Sequence, residues 1–139
     1  MKHLSFAIIA CFFSLVLSAQ DIQTFQLIND TGMKALVSNY GARLMQLEAY
    51  NWNGRLEPVI KGYKHISDYK DDTMLGATMM SLDGKVSPAL SDKVWEVVSA
   101  DHQSVTFRYI ADSKDGEFDG KMNFSVTYTL SDQNALDVD

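Results

Sequence analysis

Met122-Asn123-Phe124-Ser125-Val126-Thr127-Tyr128-Thr129-Leu130 is the stretch that decides the fold class. Every second residue is apolar and the residues between are small and polar. Successive side chains of a strand point to opposite faces, so this spacing makes one apolar and one polar face. No helical spacing accounts for it. Just upstream, Val105, Phe107 and Tyr109 alternate with Thr106 and Arg108, and downstream Leu136 and Val138 start another strand. Val94, Trp95, Val97 and Val98 form a run that is apolar on both sides, which predicts a more deeply buried strand.

The N-terminal part carries the same signal. Phe25 and Leu27 alternate with Gln26, Asn29-Asp30-Thr31-Gly32 supplies a turn, and Ala35 to Val37 returns. Leu44 to Tyr50 reads as a third strand closed by Asn51-Trp52-Asn53-Gly54, and Val59-Ile60 as a fourth. Tyr63 to Leu75 is polar and irregular, a loop with a helical turn at most. Prolines are confined to Pro58 and Pro88, and there is no internal repeat or linker. Short strands at regular spacing with turn residues between them predict an all-β fold, an antiparallel β-sandwich or part of one.

The chain has 139 residues, 46% apolar and 22% charged, with a net charge of −6. That is globular composition, and the length fits one domain. The acidic balance speaks against nucleic acid, since phosphate binding needs a basic face. Residues 1–19 have the pattern of a secretory signal: a basic start at Lys2, an apolar run from Leu4, and small residues at Ser18-Ala19. The competing reading is a membrane anchor, but the run is shorter than the ~20 apolar residues a spanning helix needs and serines interrupt it. Ile8-Ile9-Ala10-Cys11 loosely resembles a lipoprotein box and sits too early in the apolar run. Cleavage near Ala19 removes one of the 12 basic residues, Lys2, and keeps all 18 acidic ones, so the net charge moves from −6 to −7. It also removes Cys11, the one cysteine, which leaves residues 20–139 without a disulfide or thiolate. The expected location is the periplasm or the cell exterior, with no membrane association after cleavage.

Chemical motifs are sparse. His65 and His102 have no second histidine or carboxylate at metal-ligand spacing and read as solvated loop residues. No serine lies in a G-x-S-x-G elbow, and Gly32, Gly54 and Gly84 read as turn glycines. Asp71-Asp72 and Asp115 with Glu117 offer carboxylate pairs for acid/base work, weighed against simple solvation in loops. Among the aromatic residues, Trp95 reads as core. Trp52, at a turn, is the sugar-stacking candidate, with Tyr63 and Tyr69 behind it.

Several segments, read in order, resemble the aldose 1-epimerase (galactose mutarotase) family. They are Phe25-Gln26-Leu27-Ile28-Asn29 with Gly32, Val37-Ser38-Asn39-Tyr40-Gly41-Ala42, Val59-Ile60-Lys61-Gly62-Tyr63 with Asp68-Tyr69, and Leu75-Gly76-Ala77-Thr78. Leu82-Asp83-Gly84-Lys85, Val94-Trp95-Glu96-Val97, Asp115-Gly116-Glu117 with Gly120, and Val126 to Leu130 continue the series. They match about the N-terminal third of a family member, with two internal shortenings.

The resemblance implies an incomplete galactose mutarotase-like β-sandwich and a monosaccharide such as galactose or glucose as partner. It implies general acid–base interconversion of anomers, with a glutamate and a histidine and without metal or organic cofactor. The family arginine expected after Gly76-Ala77-Thr78 is replaced by Met79-Met80-Ser81-Leu82, and the His-Gly-Gly expected before Val94-Trp95 is missing from Val86 to Lys93. The acid histidine and base glutamate belong to later family segments. The chain alone is therefore expected to be inactive, with no catalytic residue assigned. The alternatives are a non-catalytic carbohydrate-binding module using Trp52, or a β domain without a ligand that self-associates through an open sheet edge.

Overall fold

The structure, a computed structural model, describes residues 21–82, 84–115 and 119–139. The expected signal segment 1–19, Asp83, Gly116 and Glu117 lie outside the described residues. Among the described residues ten strands follow one another: β1 (Thr24–Ile28), β2 (Lys34–Ser38), β3 (Arg43–Tyr50), β4 (Leu56–Pro58), β5 (Met80–Leu82), β6 (Lys85–Ser87), β7 (Glu96–Ala100), β8 (Ser104–Ala111), β9 (Met122–Leu130) and β10 (Leu136–Val138). A single turn of 3-10 helix, Ile66–Tyr69, interrupts the loop before β5.

The strands form two four-stranded antiparallel sheets, β1-β2-β3-β4 and β10-β9-β8-β7, and a small β5-β6 hairpin. The sheets bury one shared core. Leu27, Ala35 and Val37 come from the first sheet, and Val105, Phe107, Val126, Tyr128 and Leu130 from the second. Phe107 packs on Phe25 across the interface, ring centres 5.8 Å apart. The alternation in β9 thus does what its pattern predicts: Val126, Tyr128 and Leu130 are buried while Asn123 and Ser125 face solvent.

Two expectations are corrected. The Val94–Val98 run is not buried on both faces. Trp95 alone is fully buried, and Val98, at a bulge in edge strand β7, is 50% exposed. The sheet meets the core with one face only, so the residues of β7 on its other face are exposed. The fourth strand lies at Leu56–Pro58, earlier than the expected Val59-Ile60, because it pairs with Glu48–Tyr50 directly after the turn at 51–54, and Val59 adds one further backbone bond to the Leu47 carbonyl at 2.9 Å. The long loop with a helical turn is found as expected, and Leu82 to Lys85 is the bend of the β5-β6 hairpin.

Two of the sheet edges are short or irregular. β4 has three residues and ends in Pro58, and β7 is bulged. Such features discourage pairing with a further strand.

β3 carries the irregularity that matters most. Val37 pairs with Leu44 and Leu36 with Gln46, so Met45 is an extra residue without a partner. A bulge shifts the alternation by one residue. Leu44 faces the core before it, and Leu47 and Ala49 face the core after it. Gln46, Glu48 and Tyr50 are thereby turned to the outer face.

Candidate functional site

The segments shared with the epimerase pattern are joints of the fold. Asn39 Oδ1 accepts the Gln23 amide at 2.7 Å, and its Nδ2 donates to the Asp21 and Trp95 carbonyls at 3.1 and 3.2 Å. Gly41, at φ 72°, lies so close to Ser91 that a Cβ would stand 2.4 Å from the Ser91 carbonyl oxygen. The Ala42 carbonyl accepts both Thr78 Oγ1 at 2.9 Å and Tyr128 Oη at 2.8 Å. Asn39 to Ala42 therefore ties β2, β9 and the loop before β5 together.

Arg43 follows directly, and its side chain is fully buried. Among the described residues no carboxylate forms an ion pair with it. Its Nη1 donates to the carbonyls of Asp72 at 3.2 Å and Leu75 at 2.5 Å, and its Nη2 to that of Ser91 at 3.0 Å. The guanidinium sits 4.8 Å from the centre of the Tyr69 ring and 5.7 Å from that of Tyr40. Burial pushes its pKa below the ordinary value, against the pull of the Asp72 charge. Arg43 Nε and Ser91 Oγ are buried without a partner among the described residues.

The loop held by Arg43 crosses β3 at two glycines. A Cβ on Gly62 would stand 1.9 Å from the Met45 carbonyl oxygen, and one on Gly76 would stand 2.0 Å from that of Leu44. Tyr69, also buried, accepts the Tyr63 amide at 2.8 Å and meets the Tyr63 ring edge-on at 4.9 Å. Tyr69 is buried, and Tyr63 is less exposed than Trp52. Asp72 Oδ1 accepts the amides of Leu75 and Met74 at 2.9 and 3.0 Å, and its Oδ2 accepts Tyr63 Oη at 3.2 Å. These bonds, the Leu75 amide foremost, lower the Asp72 pKa, and the same carboxylate raises that of Tyr63. Asp72 is thus a loop clasp. Asp115 behaves alike. Burial pushes its pKa up, but the Asp112 amide, Tyr109 Oη and Lys93 outweigh it and hold the carboxyl below its usual range.

A cleft of about 250 Å³ opens beside β3 and β4, lined by Gln46, Leu47, Glu48, Pro58, Ile60 and Gly62. Gln46 offers an amide and Glu48 a carboxylate to whatever enters. Trp52 is not in this lining. It stands at the tip of the same β3-β4 hairpin and is 92% exposed. The Asn51–Gly54 turn that carries it is fixed: Asn51 Oδ1 accepts the amides of Asn53 and Arg55 at 2.8 and 3.0 Å.

The other predicted residues stay apart. His65 and His102 are exposed, and among the described residues neither shares a hydrogen bond with a carboxylate. Asp71 is exposed and free of the Asp72 clasp. Met80, in the stretch where the family arginine is expected, is buried in the core. No group of three metal-ligating side chains occurs among the described residues, and no helix there is long and apolar enough to cross a membrane. Gln46 and Glu48 were missed from the sequence. The signal was present as the break in alternation at Met45-Gln46, but its meaning needs the partner strand.

No protein-family model and no curated protein matches the chain. Solved structures do. The GalM/aldose epimerase homologue from C. elegans superposes with a TM-score of 0.72 at 25% identity, over 85% of this chain and 45% of that one. The galactose 1-epimerase from Lactobacillus acidophilus gives a TM-score of 0.61 at 18% identity, over 86% of this chain and 47% of that one. The chain spans less than half the length of these structures, and its fold is the aldose epimerase-like, galactose mutarotase-like β-sandwich.

Proposed function

We propose that the chain is a mutarotase-like carbohydrate unit that binds a monosaccharide in the β3-β4 cleft. The observation that carries this reading is the cleft itself, with Gln46 and Glu48 at its wall in an epimerase-like fold. Its volume falls just below the ~300 Å³ at which drug-sized pockets begin, which suits a single sugar ring. An amide and a carboxylate suit hydroxyl groups, since both accept hydrogen bonds and the amide also donates. The test is an NMR titration of the labelled chain with galactose and with glucose. Shifts at Gln46 and Glu48 in the millimolar range are expected, and their absence with both sugars sinks the reading.

On this proposal the chain alone does not interconvert anomers. That reaction needs a proton donor at the ring oxygen and an acceptor at the anomeric hydroxyl, both in reach of one sugar. His65 and His102 are loop residues without carboxylate partners among the described residues. Polarimetry of fresh α-glucose should match the buffer blank, and acceleration would overturn this point. Export through residues 1–19 belongs to the same proposal, and N-terminal sequencing of the exported product checks it.

Trp52 favours a second reading, a carbohydrate-binding module without catalysis. Its exposure leaves a whole indole face open at a rigid turn. Trp95 is buried, so a sugar-dependent change in fluorescence would report Trp52.

A further inference from the structure

We propose that the sugar surface is a track along one side of the β3-β4 hairpin and that its ligand is a short neutral oligosaccharide. This deepens the cleft reading and rests on it. The bulge at Met45 is what creates the track. After it, every second residue of β3 faces outward, giving Gln46, Glu48 and Tyr50, and Trp52 stands past the end of the strand, in the turn at the tip. The chemistry changes along the line. The base has an amide and a carboxylate, and the end has two aromatic rings, Tyr50 at 42% and Trp52 at 92% exposure. Hydroxyl groups suit the first pair, and the C–H face of a sugar ring suits the second.

The length exceeds one ring. At ~3.4 Å per residue the strand alone separates Gln46 from Tyr50 by about 14 Å, and Trp52 lies beyond Tyr50 in the turn. A monosaccharide in the cleft cannot also cover Trp52, whereas a trisaccharide can.

Both platforms are held before any ligand arrives. Tyr50 Oη donates to the Thr31 carbonyl, and a Cβ on Gly32 would stand 3.1 Å from that oxygen, so the side chain lies against the β1-β2 turn. The Trp52 turn is closed by the Gly54 amide on the Asn51 carbonyl at 3.0 Å and the Asn51 amide on that of Arg55 at 2.8 Å. Fixed contact groups lower the ordering cost of binding. The ligand is neutral because Lys34 pairs opposite Glu48 across β2 and β3, which leaves neither sign in excess at the base.

The experiment compares glucose, maltotriose and cellotriose on the 139-residue chain by calorimetry and by Trp52 fluorescence. One of the trisaccharides should bind at least about tenfold more tightly than glucose, from the added aromatic contact. Trp52→Ala should return it to the glucose level, and Trp52→Phe should keep part of the gain. Glu48→Gln should weaken glucose and trisaccharide together. Glucose binding without any gain from chain length, or a gain that Trp52→Ala leaves intact, overturns the track while the cleft stands. No binding of any of the three sugars overturns the cleft and the track with it. Trp52 contributes little to the core, so its variants should fold, and the buried Trp95 signal checks that they do.

Discussion

Tyr128 donates its phenolic hydrogen to the carbonyl of Ala42 at 2.8 Å, a bond that joins β9 of one sheet to the residue directly before β3 of the other. Ala42 itself has φ 41°, a left-handed conformation, and its oxygen also accepts Thr78 Oγ1. Two sheets and the loop before β5 therefore meet on a single carbonyl. The phenol is buried, and burial is the main reason its pKa is pushed up to about 12.

Replacing Tyr128 with Phe should cost about 1 kcal/mol at neutral pH, the net worth of one hydrogen bond, since Thr78 still serves the acceptor. The alkaline side follows from the sign of the shift. Below pH 10.0, the ordinary value, the phenol is neutral both folded and unfolded and its full contribution is present. Above it the unfolded chain ionises first, and stability is lost as pH rises toward about 12. Tyr109, also raised to about 12 by burial and by Asp115, acts in the same direction. Denaturant melts across this range should show a shallower decline for Tyr128→Phe than for the parent chain.

Gly62 and Gly54 should respond very differently to alanine. At Gly62 the new methyl would meet the Met45 carbonyl oxygen at 1.9 Å, and the loop would have to leave β3. Overpacking of this kind costs about 1–3 kcal/mol, and here the backbone on both sides resists, which points to the upper end. At Gly54 nothing lies within 4 Å and only the positive φ of 71° is penalised, at about 1 kcal/mol. Thermal melts of the two variants should rank accordingly.

Arg43 should not tolerate lysine. Three carbonyls from Asp72, Leu75 and Ser91 are arranged for a planar fork, and the Tyr69 ring lies 4.8 Å from it. An ammonium reaches fewer of them and stacks less well. Hydrogen bonds from a charged donor are worth about 1.5–3 kcal/mol each, so Arg43→Ala should cost at least about 3 kcal/mol and Arg43→Lys should recover only part. Amide exchange in the 70–76 segment should speed up in both variants.

Acid should loosen the same loop. The Asp72 pKa is depressed by the amides of Leu75 and Met74, so its contribution is present above the ordinary carboxylate range of about 4 and is lost as pH falls through the lowered folded value. Asp72→Asn should flatten that low-pH decline, as read from limited proteolysis between Tyr63 and Leu75 at a series of acidic pH values.

Much of the sheet structure could be read from local alternation. In Met122 to Leu130 and Val105 to Tyr109 the period of two belongs to the strand backbone itself, so it survives in any antiparallel context. Turn residues placed most of the hairpins for the same local reason. The Asn39 to Ala42, Gly62 and Gly76 segments were visible as a pattern. What they do was not, because their partners Ser91, Met45, Leu44 and Tyr128 lie far along the chain.

Three features came from packing alone. Arg43 looks like an ordinary charged residue until three distant carbonyls close around it. The apolar run around Trp95 lost its second buried face because the sheet of β7 meets the core on one side only. The extra residue at Met45 exists only relative to β2, and it decides that Gln46, Glu48 and Tyr50 face outward. Strand type follows from the order of neighbouring residues. Register, edges and burial follow from which remote backbone each strand meets, and those contacts set the outer face where the cleft and Trp52 lie.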